Sequence, residues 1–102
     1  MNNHAEEQRV EIEAAVLRKF LAHLDEHKEV QNIELMNLAD FCRNCLAKWY
    51  SSEAKARSVD VDYEQAREII YGMPYSEWKE KHQKPATPEQ LAVFEQKKSK
   101  KR

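Results

Sequence analysis

Glycine is nearly missing from this chain: Gly72 is the single one in 102 residues, where average usage gives about seven. One glycine cannot build a P-loop, a G-x-G-x-x-G dinucleotide fingerprint or a G-x-S-x-G nucleophile elbow, each of which needs several backbone positions free of a Cβ. No Asn-Gly, Asp-Gly or Gly-Gly pair is available to turn a tight hairpin, which argues against a β-rich fold. Cysteine is scarce too. Cys42 and Cys45 are no disulfide framework, and in a reducing compartment both are expected as thiols. No apolar run approaches the roughly 18 residues that span a bilayer, and the N-terminus has neither the basic nor the apolar region of a secretory signal. The expectation is a cytoplasmic protein with no membrane contact.

What is present is charge and helical periodicity. Charged residues make up 34% and hydrophobic residues 41%, enough for one small core that a partner would help to stabilise. The net charge of −1 is unevenly spread. Residues 97–102 read Lys-Lys-Ser-Lys-Lys-Arg and hold 5 of the 17 basic groups, leaving 12 basic against 18 acidic groups in residues 1–96, a net of −6. The chain therefore reads as one helical domain over residues 1–96 and a basic, disordered tail over 97–102. Such a tail can touch phosphates weakly, but the acidic body repels the same groups, so nucleic-acid binding is the weakest functional reading.

The expected fold is all-α: a small multi-helical domain with two long helices followed by two or three short ones. Over Ala5–Lys28, Val10, Ala14, Leu17, Leu21 and Leu24 recur at steps of three and four, one stripe of a helix. A second stripe beside it holds Ile12, Val16, Phe20, His23 and His27, and two adjoining stripes need two covering elements. Asn32 is a plausible N-cap for a second long helix reaching Arg57, with Leu35, Ala39, Cys42, Leu46 and Trp49 on its buried face. Phe41 lies off that face and requires a neighbouring helix or another subunit. Asp62 with Gln65, and Thr87 with Gln90, form capping boxes; Pro88 takes a first helical position, and Gly72 before Pro74 marks a left-handed C-cap.

Three constellations bear on chemistry. Cys42-Arg43-Asn44-Cys45 is a C-x-x-C, but it sits about ten residues inside the expected helix, where no terminal amides lower a thiol pKa; a redox role is set aside on that ground. Joined by His23 and His27, the pair would complete a two-Cys, two-His zinc shell. If the two long helices form a hairpin turning near residue 30, however, His23 and His27 stand about 7 and 13 Å from Cys42 along the axis. Small core thiols are the simpler reading, with no cofactor and zinc as the alternative. Trp49, Tyr50, Tyr71, Tyr75 and Trp78 gather around the end of the second helix and Gly72; a packing knot is favoured over a ligand pocket, and Arg43 can either pair with Glu68 or stack on it, a choice the sequence does not make. No nucleophile has a base in reach, and no catalytic residue stands out.

Two segments, Val30–Ala39 running into Phe41-Cys42-Arg43-Asn44-Cys45-Leu46 and Trp49-Tyr50, then Arg67-Glu68-Ile69-Ile70-Tyr71-Gly72-Met73-Pro74-Tyr75 and Trp78, resemble the bacterial domain-of-unknown-function family 1244. The similarity spans roughly Ala5 to Phe94 and implies a short, stand-alone helical protein of uncharacterised activity, with no site residues to carry over. The leading functional expectation is a protein–protein interaction module forming a homodimer through Ile12, Val16, Phe20 and Phe41. The alternative is a metal-binding protein or metal-dependent enzyme built on Cys42 and Cys45, with His23 and His27.

Overall fold

The computed structural model describes residues 3–100. Among them are six helices and no strand: α1 (Asn3–Asp25), α2 (Asn32–Ala39), α3 (Arg43–Ala56), α4 (Tyr63–Tyr71), α5 (Tyr75–His82) and α6 (Pro88–Lys100). The all-α expectation holds. The second long helix expected over Asn32–Arg57 is instead two helices, α2 and α3. Asp40 turns left-handed at φ 58°, its N–H bonded to the Met36 carbonyl, and Cys42 is fully extended before α3 begins. Neither glycine nor proline marks the break, and apolar spacing runs through it in phase, so periodicity alone joins the two halves.

The break redirects the chain. α2 packs against α6, whereas α3 packs most extensively against α4. The single buried face expected along the second helix is correspondingly divided: Leu35 and Cys42 are buried, but Ala39 is exposed and Trp49 is 56% exposed. Phe41, released from a helix, lies against Phe20 with ring centroids 6.2 Å apart, so its own chain supplies a neighbour. Asn32 is not the N-cap of α2; Gln31 takes that place, its N–H donating to Glu34 Oε1 at 2.7 Å.

Local signals hold elsewhere. Gln65 N–H donates to Asp62 Oδ1 at 2.8 Å while Asp62 N–H donates to Gln65 Oε1 at 2.9 Å. Thr87 and Gln90 exchange the same pair of bonds at 3.1 and 2.9 Å. Gly72 closes α4 at φ 73°, a backbone state costly for residues with a Cβ. α6 runs through Lys100, so the segment expected as a disordered tail is helical over residues 97–100. Lys97 Nζ caps the end of α2, donating to the Met36 and Asn37 carbonyls at 3.2 and 2.7 Å and pairing with Asp40 at 3.0 Å. Lys101 and Arg102 lie outside the described residues.

Two clusters make the core. Ala47 and Ala66, both fully buried, let α3 and α4 approach closely, and Ile70, Tyr71 and Trp78 complete that cluster. The other joins Leu24, Leu35 and Cys42, with Met36, Phe41 and Cys45 against it. α1 contributes Leu21 to the first and Leu24 to the second. Its earlier apolar residues are uncovered: Val10, Ile12 and Val16 are each about 60% exposed.

Candidate functional site

Three features stand out, and the break after α2 positions two of them. The first is a buried polar network centred on Arg43, the first residue of α3, whose side chain is only 2% exposed. Its NH1 donates to the Val30 carbonyl at 2.8 Å and to Asn32 Oδ1 at 3.0 Å; NH2 donates to the His27 carbonyl at 3.0 Å. The guanidinium also lies 5.0 Å from the centre of the Trp78 ring, a cation–π arrangement. Among the described residues no carboxylate forms an ion pair with it, so backbone dipoles, one amide and an indole carry the charge. Burial pushes the Arg43 pKa down, with Tyr71, Cys42, Glu29 and Asp25 opposing.

Tyr71 extends the network. Its hydroxyl donates to Asn44 Oδ1 at 2.7 Å and accepts from Asn32 Nδ2 at 3.0 Å, and its ring meets Tyr75 and Trp78 edge-on at 5.3 and 5.0 Å. Burial pushes the phenol well above its ordinary pKa, against the bond from Asn32. Gln31 closes the assembly by donating to the Glu29 and His82 carbonyls and accepting from Lys84 N–H at 2.8 Å. A cavity of about 280 Å³ lies beside it, bordered by Asn32, Asn44, Tyr75, Trp78 and Lys84.

The second feature is a group of sulfur atoms. Cys42 is the N-cap of α3 and Cys45 lies in its first turn, which corrects the premise that the C-x-x-C sits mid-helix. Cys42 Sγ is 3.8 Å from Cys45 Sγ, and Cys45 Sγ is 3.9 Å from Met36 Sδ. Burial raises the Cys42 pKa, and the N–H groups of Cys45 and Asn44 offset only part of that. The free thiol is therefore no activated nucleophile.

The third is an apolar groove of about 480 Å³ whose lining includes Leu17 of α1, Leu46, Trp49 and Tyr50 of α3, Val59 of the following loop and Ile70 of α4. It separates residues expected to cluster. Tyr71, Tyr75 and Trp78 pack together, while Trp49 and Tyr50 turn to the groove.

The structure joins Cys42 to Cys45 but does not bring His23 and His27 to them. The imidazoles stack on each other at 4.5 Å, and His27 Nδ1 donates to the His23 carbonyl at 2.8 Å. Among the described residues no three His, Cys, Asp or Glu side chains gather around one point. Of the expected interface, Ile12 and Val16 are exposed, Phe20 less so, and Phe41 is half-buried. Sequence reasoning misses Met36 and the acceptors of Arg43. The sulfurs meet across a chain break that periodicity hides, and carbonyl acceptors have no side-chain signature.

These features define a small all-helical domain organised by a buried arginine–tyrosine network. Among the described residues no helix is long and apolar enough to cross a membrane. The chain belongs to the family described as "Protein of unknown function (DUF1244)", whose model matches residues 30–96. The sulfur group and most of the network and the groove lie in that stretch, the His27 and Glu29 carbonyls falling just before it; α1 lies outside it, so the match is shorter than the resemblance beginning near Ala5. No curated protein matches the chain.

Proposed function

We propose that this protein is a helical interaction module that acts as a homodimer, each copy covering the apolar face of the other's α1. The supporting observation is the uncovered stripe itself: Ile12 and Val16 are 62% and 60% exposed, with Phe20 completing the row. The spacing i, i+4, i+8 is symmetric about Val16. An antiparallel second copy therefore sets Val16 against Val16 and Ile12 against Phe20, the self-complementary pattern of a two-fold interface. Leu17 links this stripe to the Trp49 groove, giving an apolar surface that runs from α1 onto α3. Burying several large side chains there contributes on the order of 1 kcal/mol or more apiece, and an exposed patch of this kind marks association surfaces.

Light scattering on a sizing column tests the reading. The expected mass is twice 12.1 kDa at micromolar concentration, falling to the monomer mass in Val16→Glu. A wild-type protein that stays monomeric at every concentration overturns it.

A further inference from the structure

We propose that Met36, Cys42 and Cys45 form a binding site for copper(I). The argument rests on the sulfur geometry and is independent of the dimer reading. At a metal–sulfur bond of about 2.3 Å, two ligands of one ion at 120° stand about 4.0 Å apart, and the Cys42–Cys45 and Cys45–Met36 sulfur separations are 3.8 and 3.9 Å. The set is preorganised by three separate pieces of chain. Met36 comes from the last turns of α2, Cys42 from the extended break and Cys45 from the first turn of α3.

The donors choose the ion. Two thiols and a thioether are soft ligands that favour copper(I), whereas divalent zinc in structural sites takes four nitrogen or sulfur donors. Among the described residues no histidine or carboxylate joins the pair to complete such a shell. Cys42 is buried while Cys45 and Met36 are half-buried, so an ion can enter past the latter two and come to rest beside Leu35 and Phe41. Binding replaces both thiol protons, which leave to solvent, and no change in oxidation state occurs. The bound group carries one net negative charge from two thiolates and one Cu⁺. It lies at the N-terminal end of α3, where the N–H groups of Asn44 and Cys45 already face the Cys42 sulfur and the positive end of the helix dipole favours an anion.

The test is an anaerobic titration of the full-length, reduced chain with copper(I), buffered by a chromogenic copper(I) chelator. Expected results are one ion per chain, an ultraviolet thiolate-to-copper charge-transfer band, and release of protons. Met36→Leu is close in volume and should keep the fold, as read by circular dichroism. It should weaken copper affinity at least about tenfold, the scale on which even outer-shell changes act. Cys45→Ser should abolish the charge-transfer band. Failure of the wild-type chain to take copper from the chelator overturns the proposal. So does affinity unchanged in Met36→Leu, or zinc binding of equal strength in the same competition format.

Discussion

Arg43 and Tyr71 show how much of this small core is polar. A buried guanidinium with no carboxylate ion pair among the described residues is tolerated because three oxygen acceptors and the Trp78 face meet it. Lysine cannot reproduce that fork. Tyr71 ties two asparagines from α2 and α3 to the aromatic core, and burial raises its pKa. The sign of the pH dependence follows. Below about pH 10 the phenol is protonated in both folded and unfolded chains; above it the unfolded chain releases the proton first. The folded state then holds more protons, so stability is complete below about pH 10 and falls as pH rises further. Urea unfolding between pH 9 and 11 should show an alkaline decline whose slope is smaller in Tyr71→Phe by up to about 1.4 kcal/mol per pH unit. The same substitution should cost about 1–2 kcal/mol at pH 8, because the partners of the hydroxyl lose a bond. The sequence leaves Arg43 a choice between Glu68 and the aromatic cluster; the structure places it over Trp78, and its acceptors have no sequence signal at all. Val30 and His27 contribute main-chain oxygens, which every residue has.

At the scale of elements, the legible parts are those written within four residues. The capping boxes at Asp62 and Thr87 and the left-handed end at Gly72 need only neighbours in sequence, and the structure contains all three. The division of α2 from α3 is hidden because its cause is tertiary. Phe41 gains a place beside Phe20, and α2 gains α6, at the cost of one left-handed Asp40. α3 ends in a comparable compromise. Ser58 adopts φ 58°, and the bonds from Ser58 N–H to the Lys55 carbonyl at 3.0 Å and Val59 N–H to the Ala54 carbonyl at 2.8 Å make a Schellman ending, where glycine is preferred. Ser58→Gly should therefore stabilise the protein by about 0.5–1 kcal/mol, read as a higher urea midpoint at unchanged slope.

The whole molecule is elongated. Its radius of gyration is 16.1 Å and its extents are 53 × 33 × 25 Å, against about 13 Å expected for a compact domain of this length. α1, 23 residues and about 34 Å long, accounts for the shape, because only its later turns join the two core clusters. The proposed homodimer, by covering this half-covered helix, would add stability by mass action. Thermal unfolding should consequently shift upward by a few degrees for each tenfold rise in protein concentration, and the shift should vanish in Val16→Glu. The two tryptophans offer an optical division of labour between these events. Trp78 is 1% exposed beneath a guanidinium, whereas Trp49 is 56% exposed beside the groove. Trp78 therefore emits from a dry, cation-capped core and Trp49 from water. A solvent quencher reaches Trp49 alone while the chain is folded, so one fluorescence experiment separates a change at the groove from loss of the core.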